Sequence, residues 1–235
     1  MSKNNTTPHE NGFMSQRRHL LSDISSFSTK EAYRTLRTNI RFALRGEGCK
    51  TFCITSSAQG EGKSITMTNL AISFAEAGQK VLLIDADLRR PAIARLLVEK
   101  ATPGLSNVLA GLASEEEAVR PSAYANLDIL LSGDIPPNPA ELLGSERMIQ
   151  MMEKLSKKYD YILVDTPPVN IVSDTCVIAN MLDGVLLLAR QDSSRKDNIK
   201  RAVSSLKLTG AKILGCVFNG VPRETKGYYY YYNEQ

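Results

Sequence analysis

The amino-acid sequence predicts an α/β fold: a mainly parallel, twisted sheet with helices on both faces. Short apolar runs rich in β-branched residues alternate with longer amphipathic stretches. Near-continuous apolarity suits strands buried on both faces, and strand–helix alternation implies right-handed crossovers between parallel strands. A glycine-rich turn also stands where the first such strand meets the next helix. The chain of 235 residues is long enough for one domain with a substantial core.

Taken in order, residues 1–27 are polar, Ser/Asn-rich and weakly patterned, and read as a flexible leader. Ser28 and Thr29 offer N-caps to a helix reaching about Arg45, with Glu31 in its first turn. Strands are expected at 51–56, 80–87, 127–133, 159–166, 184–190 and 211–219, and helices near 63–77, 105–111, 145–157, 174–181 and 195–208. Residues 135–143, IPPNPAELL, read as a Pro-rich turn leading into a short helix. After Asn219 come Pro222, Gly227 and a run of tyrosines, Tyr228, Tyr229, Tyr230, Tyr231 and Tyr232. The chain thus divides into a leader (1–27), a domain (28–221) and a tyrosine-rich tail (222–235).

Composition excludes several chemistries. The histidines are His9 and His19, both in the leader, which argues against a histidine zinc site or a Ser-His-Asp triad. Cys49, Cys53, Cys176 and Cys216 show no metal-type pairing and read as small buried hydrophobes in a reducing compartment. A net charge of +4 gives no argument for a nucleic-acid partner, and none is expected. No apolar run approaches a bilayer span and the N-terminus has no h-region, so a cytosolic location is expected.

The strongest signal is Ser57, Ala58, Gln59, Gly60, Glu61, Gly62, Lys63 and Ser64, lying between a predicted strand and a predicted helix. A P-loop asks for Gly, four residues, then Gly-Lys-Ser/Thr; here Ser57 holds the first glycine's place and the rest fits. Such a turn aims backbone N–H groups and a helix N-terminus at phosphates. Lys63 is placed to reach the β- and γ-phosphates of ATP, and the Ser64 hydroxyl to bind Mg²⁺. Acids end two buried strands: Asp85, with Asp87 two residues on, in LLIDADLRRP, and Asp165 in YILVDTPP. An acid at the end of a strand beside a P-loop suits Mg²⁺, held directly or through water. On an extended chain Asp85 and Asp87 face the same way, which suits Mg²⁺ or proton removal from an attacking hydroxyl.

The set of P-loop, IDADLRRP and ILVDTPP resembles the bacterial tyrosine kinases (BY-kinases), P-loop NTPase-fold enzymes, over about residues 28–235. The resemblance implies an ATP- and Mg²⁺-dependent protein-tyrosine kinase acting on protein tyrosines and on its own cluster at 228–232. Lys63, Asp85 and Asp87 would then be catalytic, and Ser64, Asp85, Asp87 and Asp165 metal-binding. Asn219, ending the last strand, would contact adenine, as in related P-loop ATPases. Glu31, Arg34 and Arg37 lie at three-residue spacing on one helical face and match the family's E-x-x-R-x-x-R ring motif, octameric in the family. Basic residues at 195–207 correspond to its basic cluster. Family members of this length are switched on by the cytosolic segment of a separate membrane adaptor, which implies a peripheral location at the inner membrane face. Their usual process is capsule or exopolysaccharide synthesis. The septum-positioning and partitioning ATPases differ in carrying an extra P-loop lysine, at the place of Ala58 here. A non-kinase ATPase of that type and a nucleotide-gated scaffold remain the alternatives.

Overall fold

The computed structural model describes residues 19–221; residues 1–18, and the tail from 222 with its tyrosine run, lie outside the described residues. The chain runs α1 (Phe27–Ala43), β1 (Lys50–Ser56), α2 (Lys63–Glu76), β2 (Val81–Asp85), α3 (Ile93–Leu97), α4 (Leu105–Leu109), α5 (Glu115–Ala118), β3 (Val119–Pro121), β4 (Leu127–Leu130), α6 (Pro139–Leu143), α7 (Glu146–Ser156), β5 (Tyr161–Asp165), α8 (Asp174–Ala179), β6 (Gly184–Arg190), α9 (Lys196–Leu208) and β7 (Ile213–Asn219). One sheet orders the strands β3-β4-β2-β5-β1-β6-β7. All neighbours pair in parallel except β3, which runs antiparallel to β4. The predicted strands are all present. Three short elements, α3, α5 and β3, were not legible, because five residues or fewer carry too little periodicity.

Alternation along the strands separates two cores. Leu82 and Ile84 of β2, Ile162 and Val164 of β5, and Val185 and Leu187 of β6 face the layer of α7, α8 and α9. Val81 and Leu83, Tyr161 and Leu163, and Leu186 and Leu188 face the layer of α1, α2 and α3. Successive side chains on a strand point to opposite faces, so continuous apolarity is what a sheet covered on both sides requires. The Phe74 ring of α2 lies 4.2 Å from Tyr161 and 6.2 Å from Phe52, which ties this helix to β5 and β1. Burial of an aromatic side chain of this kind contributes about 1.5–3 kcal/mol.

Of the 14 residues of α2, 11 are buried, so its outer side needs its own cover. That cover is α1, which begins two residues before the predicted start. Its N-cap is Ser26, whose Oγ accepts the Thr29 N–H at 3.3 Å. This shifts Glu31 out of the first turn and corrects its expected place beside the helix dipole. Residues 19–26, drawn with the polar leader, are packed where Leu20 and Leu21 enter the core. The Leu21 N–H donates to Asn69 Oδ1 at 2.7 Å, and Asn69 Nδ2 donates to the His19 carbonyl at 2.8 Å. Of the cysteines only Cys53 is fully buried; Cys216 is exposed because β7 is an edge strand.

Candidate functional site

The phosphate cradle leaves the carboxyl end of β1, the strand between β5 and β6. Ligands in open α/β sheets bind beyond strand carboxyl ends. Gly62 caps α2 with a left-handed backbone, φ +98°, a conformation costly to any side chain. A Cβ there would also run into the amide of Asn219. The first amides of α2 have no carbonyl one turn back, so they remain available to an anion. Lys63 and Ser64 open this helix, with Lys63 buried and Ser64 half-buried.

Within the turn, Glu61 is fully buried and its carboxylate points inward. It accepts the Ser57 N–H at 3.0 Å, the Ala58 N–H at 3.2 Å and the Ser57 hydroxyl at 3.1 Å. Gln59 and Gly60 are held from outside: Arg90 donates to Gln59 Oε1 and Arg190 to the Gly60 carbonyl, both at 3.1 Å. Asn219 Nδ2 donates to the Glu61 carbonyl at 2.9 Å, while its Oδ1 accepts the Gly220 N–H. Asn219 thus stands between the cradle and a groove of about 550 Å³ lined by Tyr33, Leu36, Thr66, Val217 and Phe218.

The three acids differ. Asp85 and Asp165 face each other in register on β2 and β5, and both are fully buried. Asp85 accepts the Asp87 N–H at 3.3 Å and the Ile93 N–H at 3.1 Å, one on each oxygen. Burial first, then the charge of Asp165, raises its pKa well above the usual carboxylate range. Neither oxygen of Asp165 has a hydrogen-bond partner of ordinary geometry. Burial pushes it up to about 6, against the nearby charge of Lys63 and hydroxyl of Ser64, which favour the ionised form. Asp87 is half-buried and caps the turn through the Arg90 N–H at 3.0 Å. Because β2 ends at Asp85, the two-residue period does not extend to Asp87. Asp87 still lies near enough for its charge to raise the pKa of both other acids.

A buried carboxylate with both oxygens unpartnered, beside a serine that opens a helix, fits a divalent cation. Among the described residues no three His, Cys, Asp or Glu side chains form a metal cage. Mg²⁺ carried by phosphates needs only one or two protein carboxylates, so Ser64 and Asp165 are a suitable donor set.

The sequence reading missed the residues that brace this site. Arg89 makes a two-pronged ion pair with the buried Asp174 at 2.7 and 3.0 Å, which pins the turn after β2 to α8. The DTPP turn after β5 is tied down by the Thr55 and Thr175 hydroxyls, both donating to the Pro167 carbonyl. Paired arginines beside the acid motif were the only signal available for Arg89 and Arg90. Glu31, Arg34 and Arg37, matched in sequence to the family's ring motif, lie apart from the cradle on α1. Arg34 and Glu31 pair with each other at 2.6 Å on the surface, whereas Arg37 leans onto α2 and donates to Ser73 Oγ at 3.1 Å. The tyrosines at 228–232, expected from the resemblance to be phosphoacceptors, lie outside the described residues.

Comparison with known proteins gives the chain's family and fold relatives. A family model described as an AAA domain matches residues 49–190. The chain is 43% identical over 202 residues to tyrosine-protein kinase YwqD of Bacillus subtilis, covering 86% of this chain and 85% of that one. It is 37% identical over 201 residues to tyrosine-protein kinase CpsD of Streptococcus agalactiae serotype Ia, covering 85% and 86%. The kinase domain of the Escherichia coli tyrosine kinase ETK superposes with a TM-score of 0.83 at 32% identity, covering 98% of this chain and 87% of that one. With the phosphate cradle, the paired acidic strand ends and this similarity along most of its length, the chain belongs to the bacterial tyrosine-protein kinases of the P-loop fold.

Proposed function

We propose that this chain transfers the γ-phosphoryl group of ATP to the tyrosines at 228–232 of a neighbouring copy. The domain is drawn from residue 19 rather than 28, because Leu20 and Leu21 enter its core, and runs to 221, with the tyrosine-rich tail at 222–235. The observation that carries the reading is Asp165, buried and unpartnered beside the helix start that bears Lys63 and Ser64. Lys63 and the amides at the start of α2 neutralise charge that builds up on the transferred group. Ser64 and Asp165 would hold Mg²⁺, with Asp85 and Asp87 reached through water; when bound it supplies charge neutralisation on the β- and γ-phosphates. The tyrosine oxygen forms its bond to Pγ as the bond to the bridging oxygen breaks and ADP leaves. The hydroxyl proton passes to a carboxylate. Asp87 suits that role better than Asp85, since Asp87 is half-buried while each Asp85 oxygen already accepts a backbone amide. Asn219 contacts the adenine.

A ring joined through Glu31, Arg34 and Arg37, octameric as in the family, would bring each tail to a neighbour's cradle at high effective concentration. Each added phosphate brings about −1.5 to −2 charges, and their mutual repulsion releases the tail and loosens the ring. A membrane adaptor's cytosolic segment activates the kinase and holds it at the inner membrane face, where it regulates capsule or exopolysaccharide synthesis. Among the described residues no helix is long and apolar enough to cross a membrane, which is compatible with recruitment by a separate protein.

Incubation of the full chain, with the adaptor segment, in labelled ATP tests this. Label is expected on the tail and absent from Lys63→Met. ATP hydrolysis without phosphotyrosine would favour a positioning-type ATPase. ATP binding with negligible turnover would favour a scaffold.

A further inference from the structure

Glu61 is an odd residue to find in a phosphate cradle. It sets a carboxylate against a polyanionic ligand, and it is fully buried. Burial of a carboxylate is costly unless hydrogen bonds replace the lost water. Here they do. Oε2 accepts the amides of Ser57 and Ala58, at 3.0 and 3.2 Å, and Oε1 accepts the hydroxyl of Ser57 at 3.1 Å. A further donor comes from far along the chain: the Ser194 hydroxyl, in the turn after β6, also donates to Oε1. Ser194 Oγ in turn accepts the Arg190 N–H at 2.8 Å, which fixes its direction. The amides Glu61 engages begin the turn, and those at its helix end remain free for the ligand.

We propose that Glu61 is a positioning residue. With Ser57 and Ser194 it braces the cradle in its receptive shape before nucleotide arrives and latches it to the turn after β6. This accounts for Ser57 at the place of the motif's first glycine: its hydroxyl is one of the four donors. The brace works through hydrogen bonds rather than charge. Its effect is preorganisation, so it appears in the affinity for nucleotide. The inference rests on the nucleotide-binding reading above.

Calorimetric titration of the full chain with Mg·ADP tests both, separately. Absence of binding to the wild-type chain overturns the nucleotide reading itself. Given binding, Glu61→Leu, similar in size but without acceptors, is expected to weaken affinity roughly 10-fold or more. Glu61→Gln is expected to recover most of that loss, because its amide oxygen still accepts the two N–H groups and the hydroxyls can reverse their bonds. Ser194→Ala should weaken binding about 3-fold in the wild-type background and have no effect in Glu61→Leu, since its partner is already gone. In kinase assays the loss should fall on KM for ATP, with kcat within about 2-fold. Equal affinity of Glu61→Leu and wild type, or of Glu61→Gln and Glu61→Leu, overturns the brace. So does tighter binding in both variants, which would make charge the working element. Should Glu61→Leu fail to fold, Ser194→Ala decides: unchanged KM for ATP overturns the latch.

Discussion

At the amino ends of the strands, acids are consumed by the fold. Asp183 accepts the amide and hydroxyl of Thr51 at 2.8 and 3.0 Å, Asp160 accepts the Lys80 N–H at 2.8 Å, and Asp128 accepts the Tyr159 hydroxyl at 2.7 Å. At the carboxyl ends of β2 and β5, Asp85 and Asp165 are more deeply buried, yet Asp165 has no partner on either oxygen. Burial without a partner is the arrangement a stability-driven sequence avoids. The difference teaches that one end of the sheet is built to hold itself together and the other to hold something else.

Substitutions on each side break or sharpen this contrast. The largest effect is expected from Asp165→Asn, which should cut tyrosine phosphorylation by about 100-fold or more; activity within a few-fold of wild type would place the functional acid elsewhere. The same variant should be more stable than wild type in the metal-free state. The pKa of Asp165, about 6, lies above the unfolded carboxylate value, so the native state holds its proton more tightly. Its contribution is therefore present below about pH 4 and lost as pH rises through 6, a change of about 3 kcal/mol. Chemical denaturation in EDTA should show wild-type stability falling across this window and a flatter profile for Asp165→Asn; parallel profiles would contradict the assignment. At the opposite end Asp183→Ala should cost about 1–2 kcal/mol, through the lost bonds to Thr51, with kcat within 2-fold. Tyr159→Phe should cost about 1 kcal/mol or less, again without change in turnover. A large activity loss in either would erase the distinction between the two ends.

Strand positions, the cradle and the acids that end β2 and β5 were legible because each depends on a local pattern: continuous apolarity, a glycine-lysine-serine spacing, an acid closing an apolar run. What was not legible depends on pairing at a distance. Nothing near Glu61 announces Ser194, and nothing near Asp174 announces Arg89. The start of α1 was misplaced for a related reason: Ser26, Ser28 and Thr29 are all competent caps, and the choice of Ser26 goes with the docking of Leu20 and Leu21 beneath the helix. The role of Asp87 was read from strand periodicity that stops at Asp85, so its position had to come from the turn that follows.

The clasp between Asn219 and the carbonyl of Glu61 has a consequence for biosynthesis. The phosphate loop leaves the ribosome early, whereas the residues that finish it, Arg190, Ser194 and Asn219, are made near the end. A nascent chain that stops short of residue 219 therefore has the motif without the finished receptor. A preformed phosphate loop is thus expected only once translation has passed residue 219.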